Sequence, residues 1–206
     1  KYSKDEFILP SHYYSTIDHI LIPQGLVYDR VEKLASIIVN DHIGKPIHLV
    51  CILKGGGIFF HELISSIRKI HSLTPNHVPF TVDYIRAKSY EGTESSGSVS
   101  ITGGDLHDMK GRHVILVEDI IDTGITMTQL IPVLQQQEPL SVKVTTLLEK
   151  RTTRNTSGFL ADYAAFSIPD RFVIGYGMDY NEVYRDLGPI CVINDEGIQK
   201  YASSSH

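Results

Sequence analysis

The chain has 206 residues, 42% hydrophobic and 21% charged, with 16 glycines and 9 prolines, which is the composition of a folded globular protein of one domain's size rather than a disordered or fibrous chain. Its net charge of -5 and pI near 6.0 exclude a basic surface able to displace counterions from a nucleic acid duplex, so no nucleic acid partner is expected. Its longest apolar stretches, such as Leu49 to Leu53, fall far short of the ~20 residues a membrane-spanning helix needs, and no membrane association is expected.

The chain opens at Lys1 without a signal-like segment, so cytosol is the expected compartment, and a start other than Met leads us to expect that residues upstream have been removed. Leu26 to Asn40 places Leu26, Val31, Leu34, Ile37 and Ile38 at helical spacing, which predicts an outer helix with one apolar side. Ile47 to Leu53 is an unbroken aliphatic run followed by three glycines, and then Phe60, Leu63, Ile64 and Ile67 recur at helical spacing. The order there is strand, glycine turn, helix. Phe80 to Arg86 alternates as a strand does. Lys88 to Gly104 is rich in Ser, Gly and Glu, and a loop this long inside a compact domain reads as a lid.

Val114 to Val117 and Val142 to Leu148 are further apolar strands, separated by a helical segment from Thr126 to Gln136. Continuous apolar runs of this kind suit parallel strands covered on both faces. Pro132 falls inside the intervening helix and should kink or shorten it. The fold class is therefore α/β, a doubly wound and mostly parallel sheet flanked by helices, with its core over about residues 26–162 of a single 206-residue domain. The N-terminal segment and part of residues 163–206 are left to form a small second lobe. Cys51 and Cys191 both sit in apolar strand-like runs and read as buried thiols, with no disulfide framework.

In doubly wound sheets ligands bind beyond the carboxyl ends of the strands, where Lys54, Asp122 and Lys150 all fall. The run from Val114 to Thr126 carries the most information. An apolar strand there delivers Glu118 and Asp119, charged acceptors suited to the vicinal hydroxyls of a ribose. The turn Asp122-Thr123-Gly124-Ile125-Thr126 follows at the start of a helix, and its successive N–H groups, its hydroxyls and a glycine free to take positive φ suit a phosphate dianion.

This run resembles the phosphoribosyl diphosphate motif of type I phosphoribosyltransferases, and specifically the hypoxanthine-guanine phosphoribosyltransferase family. Four further segments match in the same order: Leu53-Lys54-Gly55-Gly56, Lys88-Ser89-Tyr90, Leu147 to Thr152, and Phe172 to Tyr176 with Asp179-Tyr180-Asn181 and Arg185-Asp186-Leu187. The resemblance spans nearly the whole chain. It implies a purine salvage enzyme that moves 5-phosphoribosyl from phosphoribosyl diphosphate to hypoxanthine or guanine, releasing pyrophosphate and IMP or GMP. It also implies a homodimer or homotetramer, and a smaller lobe that the family calls the hood.

Carried over residue by residue, the resemblance makes Asp122 the general base, with a helix N-cap as the structural alternative. Glu118, Asp119, Asp122, Thr123, Gly124, Ile125 and Thr126 would hold the ribose and its 5'-phosphate, while Lys54, Gly55 and Arg185 would hold pyrophosphate. Lys150 would contact the oxygen at purine C6, and an ammonium, having only donors, favours an oxo group over adenine's amino group. Phe172 would stack on the base and the backbone of Val173 would read its 2-position edge, with ordinary core packing as the rival for both. Asp179 is placed between purine and metal, and with Glu118 and Asp119 it would serve Mg2+, an ion that prefers oxygen ligands and commonly rides on substrate phosphates. Lys88, Ser89 and Tyr90 would open a flexible loop that closes over the ribosyl cation.

The chain also departs from the family. Ile125 stands where Lys is frequent, and Gly57-Ile58 stand where an aromatic residue and Lys are common, which removes positive charge near the phosphates and predicts weaker binding of phosphoribosyl diphosphate. A xanthine-accepting enzyme and a catalytically weak nucleotide-binding homologue are the alternatives. His61-Glu62 lacks the second ligand of a zinc helix, because residue 65 is Ser, and Asn155-Thr156-Ser157 fits a glycosylation pattern that a cytosolic chain would never present. No G-x-G-x-x-G follows a predicted strand, which sets aside a dinucleotide dehydrogenase.

Overall fold

The computed structural model describes residues 1–89, 99–104 and 109–202, with backbone only at 88, 89, 99 and 100. Of the expected flexible loop, Tyr90 lies outside the described residues, as do the side chains of Lys88 and Ser89. Two compact units are formed, one from Val31–Pro169 and one from Lys1–Arg30 with Asp170–His206.

The larger unit is built on a six-stranded sheet of order β4-β3-β2-β5-β6-β7. β2 (Ile47–Ile52), β3 (Phe80–Ser89), β5 (His113–Ile121), β6 (Ser141–Arg151) and β7 (Tyr163–Pro169) run parallel, and β4 (Val99–Thr102) pairs antiparallel with β3. The ends of the segment read as a loop from Lys88 to Gly104 are thus strands, because Arg86 to Ser89 face Val99 to Thr102 in a regular ladder. All six residues of β2 are buried, as expected of a central strand covered on both faces.

Helix α2 (Gly57–Leu73) follows β2 and buries Phe59, Phe60, Leu63, Ile64 and Ile67. α3 (Ile125–Gln135) follows β5 and buries Met127, Leu130 and Leu134 against Val50, Ile52, Val114 and Leu116 of the sheet. Each such side chain contributes ~1.5–3 kcal/mol relative to exposure, so this interface holds the ends of β2 and β5 in a fixed register. Pro132 lies inside α3, which ends three residues later at Gln135. The helix runs through Pro132 and has 11 residues, the length of the segment expected from Thr126 to Gln136, so the proline does not stop it where it stands.

The smaller unit has its own antiparallel sheet of order β1-β9-β8, from β1 (Ile17–Ile22), β8 (Val173–Ile174) and β9 (Ile190–Ile193). Tyr13, Ile17, Ile20, Ile174, Tyr184 and Cys191 form its core. Residues 163–169 belong to the large sheet as β7, so it is the chain from Asp170 onward that joins the N-terminal segment. The division falls within α1 (Gln24–Asp41). A six-residue helix, α4 (Asp195–Lys200), follows β9, and Asn194 Oδ1 caps it by accepting the Gly197 N–H at 2.9 Å. Among the described residues no helix is long and apolar enough to cross a membrane.

Candidate active site

β5 carries the adjacent acids Glu118 and Asp119 near its carboxyl end, three and two residues before it stops at Ile121. Neither acid is a solvated strand end. Asp119 is 8% exposed, and its Oδ1 accepts the Ile120 N–H at 2.9 Å. A Cβ added to Gly55 would lie 1.8 Å from Asp119 Oδ2, so the loop after β2 rests directly on this carboxylate and only glycine fits at 55. Glu118 Oε2 is buried and has no hydrogen-bond partner among the described residues. Burial, and then the charge of Asp119 and a hydrogen bond with it, hold the Glu118 carboxyl well above the usual carboxylate range. Cys51, in the neighbouring strand β2, is pushed up to about 12 by burial and by the same two acids, so it is an inert thiol.

Lys54 is exposed, in the turn between β2 and α2, and the Leu53–Lys54 peptide bond is cis. The turn is closed by the Gly57 N–H donating to the Lys54 carbonyl at 3.2 Å. At Gly56 a Cβ would lie 2.7 Å from the Ile52 carbonyl oxygen, which keeps the backbone close to the end of β2.

The turn after β5 reaches α3 through Gly124, whose φ of 74° is left-handed and whose position caps the helix without any side-chain hydrogen bond. Asp122 is therefore not the cap. The Ile125 N–H reaches the Thr123 hydroxyl at 3.4 Å, and the N–H groups that follow it in the first turn of α3 are placed to meet an anion. A hollow of about 100 Å3 lies here, lined by Glu118, Asp122, Thr123, Gly124 and Thr126 among others. Ile125 is half exposed at the first helical position, so the departure from Lys places an apolar side chain at the surface of the turn.

Lys150, near the end of β6, donates from Nζ to Asp122 Oδ2 at 2.9 Å, with its side chain 8% exposed. An ammonium that deep is held by the carboxylate it faces. The sequence placed both residues at the carboxyl ends of their strands; the structure brings them into contact. It adds Arg154, which sequence reasoning missed and whose Nη2 donates to Asp122 Oδ2 at 3.0 Å. The available signal was position, because a polar, turn-forming segment directly after a strand's carboxyl end is where functional loops lie.

The remaining candidates belong to the smaller unit. Phe172 is half exposed, and its ring meets Tyr180 edge-on at 5.3 Å between centroids, so it has an open face that core packing would not leave. Val173, 6% exposed, is packed within β8. Arg185 Nη2 lies 2.8 Å from Asp179 Oδ1 and Nη1 donates to the Gly177 carbonyl at 2.7 Å. Asp179 Oδ2 accepts the Glu182 N–H at 2.8 Å. The two residues assigned to metal and pyrophosphate are thus paired with each other. Among the described residues no three His, Cys, Asp or Glu side chains gather as a metal cage.

A family profile described as a phosphoribosyl transferase domain matches residues 21–181. Human hypoxanthine-guanine phosphoribosyltransferase is 44% identical over 201 residues, 97% of this chain and 92% of the human one, and the mouse enzyme matches equally. Among solved structures, the hypoxanthine-guanine phosphoribosyltransferase of Schistosoma mansoni in complex with IMP superposes with a TM-score of 0.81 at 34% identity, covering 98% of this chain and 94% of that one. A hypoxanthine phosphoribosyltransferase from Staphylococcus aureus gives 0.80 at 30% identity, covering 95% and 100%. With a family profile over most of its length and 44% identity along 97% of it, the chain belongs to the hypoxanthine-guanine phosphoribosyltransferases of the phosphoribosyl transferase family.

Proposed function

We propose that this chain transfers the 5-phosphoribosyl group of phosphoribosyl diphosphate to a ring nitrogen of hypoxanthine or guanine, giving IMP or GMP and pyrophosphate. The observation that carries the reading is the Asp122 carboxylate, 2.9 Å from the Lys150 ammonium, beside a helix start that no side chain caps.

The amides from Thr123 to Thr126 receive the 5'-phosphate, which complements both their open N–H groups and the positive end of α3. Glu118 and Asp119 accept the ribose hydroxyls. Lys54 and the backbone at Gly55 hold the departing pyrophosphate together with Arg185. Asp122 takes the proton that the purine gives up as its bond to C1 forms, and Lys150 donates to the C6 oxygen. The purine ring lies on Phe172, with Val173 and Asp179 at its edge. Lys88, Ser89 and Tyr90 lead the loop that excludes water from the cationic ribose.

Mg2+ fits Glu118 and Asp119, which offer only oxygen, and Glu118 Oε2, buried and without a partner among the described residues, is a group that a hard cation on a ribosyl diphosphate would satisfy; Asp179, in the smaller unit, is assigned to the same ion. When bound, the ion neutralises diphosphate charge. The reading extends to a cytosolic homodimer or homotetramer. Ile58 and Ile125, both exposed, favour a raised KM for phosphoribosyl diphosphate over loss of activity, and xanthine is the nearest alternative base.

The test is to supply Mg2+ and phosphoribosyl diphosphate with each of hypoxanthine, guanine, xanthine and adenine, and to follow monophosphate formation. IMP and GMP are the expected products; turnover with adenine alone would overturn the role given to Lys150. Asp122→Asn should still bind IMP while losing turnover by ~10²–10⁴, the usual worth of general base catalysis.

A further inference from the structure

The Asp122 carboxylate faces two cations with different attachments. Lys150 is part of a sheet strand, 8% exposed. Arg154 is 54% exposed, and its Nη2 lies 2.9 Å from Oδ1 as well as donating to Oδ2 at 3.0 Å. It comes from the loop between β6 and β7, the segment that contains the pattern Asn155-Thr156-Ser157.

That loop is closely fitted to the phosphate turn. The single hydroxyl proton of Ser157 lies within reach of Asn155 Oδ1 at 2.8 Å and of the Thr123 carbonyl at 3.2 Å, and the Phe159 N–H donates to Ser157 Oγ at 3.2 Å. Asn155 Nδ2 donates to the Phe159 carbonyl at 2.8 Å. A Cβ on Gly124 would lie 2.8 Å from both Phe159 Cβ and Ser157 Oγ, so backbone and loop are already in contact. The point from which Arg154 reaches Asp122 is therefore fixed by the same turn that would hold the phosphate.

The two cations also differ in chemistry. An ammonium is a point charge with rotatable donors that a substrate oxygen can recruit, whereas here one guanidinium nitrogen, Nη2, lies between the two oxygens of the carboxylate, hydrogen-bonded to Oδ2 and ion-paired with Oδ1, and so restrains its rotation. We propose that Arg154 is a positioning residue for Asp122: it holds the orientation of the carboxylate while Lys150 turns to the purine C6 oxygen. This rests on Asp122 being the proton acceptor. A base misplaced by about 1 Å costs on the order of 10²-fold in rate, so the guanidinium acts on kcat and leaves binding of the ribosyl phosphate to the turn.

Arg154→Gln and Arg154→Lys are compared with the wild-type protein and with Asp122→Asn, using hypoxanthine and phosphoribosyl diphosphate. Arg154→Gln should lower kcat by about 10- to 100-fold while the KM for phosphoribosyl diphosphate stays within about threefold. Arg154→Lys should recover part of the loss, as should added guanidinium with Arg154→Ala. In the Asp122→Asn background Arg154→Gln should cost nothing further, because the two act as one unit. The inference is overturned if Arg154→Gln keeps wild-type kcat, or if kcat, KM and melting temperature all worsen together with no recovery by lysine. A wild-type protein that turns over none of the oxopurines defeats the functional reading itself. Wild-type turnover matched by Arg154→Gln defeats only the role of the arginine.

Discussion

At the amino ends of the parallel strands a concavity of about 600 Å3 lies between loops, lined by Lys45, Pro46, Pro79, Arg112, His113 and Leu140 among others; the hollow beside Asp122 at the carboxyl ends measures about 100 Å3. Size points one way and chemistry the other. At the amino ends polar groups are spent on neighbours: Arg112 Nη1 donates to Thr81 Oγ1 at 2.8 Å, and His113 Nδ1 meets Ser141 Oγ at 2.8 Å. At the carboxyl ends an acid oxygen is buried without a partner among the described residues, and a helix starts at Gly124, which has no side chain to cap it. Unspent polar groups, rather than empty volume, mark the functional end.

The strongest way to test that contrast is to fill the close approach at Gly55. Asp119 is pinned by the Ile120 N–H, so the carboxylate cannot simply swing away from a Cβ 1.8 Å from its Oδ2. In Gly55→Ala the loop must move instead. We expect kcat/KM for phosphoribosyl diphosphate to fall by about tenfold or more, with ~1–3 kcal/mol of stability lost to overpacking. Steady-state kinetics and thermal melts measure both, and an alanine variant with wild-type kinetics would show that the loop takes no part in binding the diphosphate.

What could be read from sequence follows from how far apart the interacting residues lie. The phosphate turn was legible because strand, acids, glycine and helix are consecutive from Val114 to Thr126. The ladder of β2, β5 and β6 was legible because unbroken apolar runs have one common explanation. Arg154 was not, since its partner Asp122 is 32 residues away and nothing local aims a guanidinium at it. Ser157 was set aside with a glycosylation pattern, yet it bonds Thr123 across 34 residues. The smaller unit was legible only as a remainder: β8 is two residues long, and Glu182 and Tyr184 take positive φ, which side chains of these types do not announce.

Glu118 gives an intermediate effect and one of opposite sign. Its folded pKa is raised, chiefly by burial, so the folded chain keeps a proton that the unfolded chain releases above the usual carboxylate value of ~4.3. Stability therefore falls as pH rises above that value, and the full penalty is present above the folded pKa. Glu118→Gln keeps the shape, and its amide can donate toward Asp119. It should raise stability by on the order of 1 kcal/mol near neutral pH, a few degrees in melting temperature for a chain of this size, with the gain shrinking toward pH ~4 while turnover drops. A variant that melts below wild type across the whole pH range would remove the claim that the functional end is held at a cost in stability.

The smallest effect belongs to the other end. Arg112→Gln removes the bond to Thr81 at the edge of the large concavity and, because the site is open to water, should cost no more than about 1 kcal/mol. Turnover and both KM values should stay at wild type, since the residues lining this concavity and those lining the hollow beside Asp122 have no member in common. Kinetics on this variant test the comparison where it is most exposed. A clear fall in kcat without a matching fall in melting temperature would mean that the amino ends feed the active site through the strands, and that open volume there carries a role its satisfied polar groups conceal.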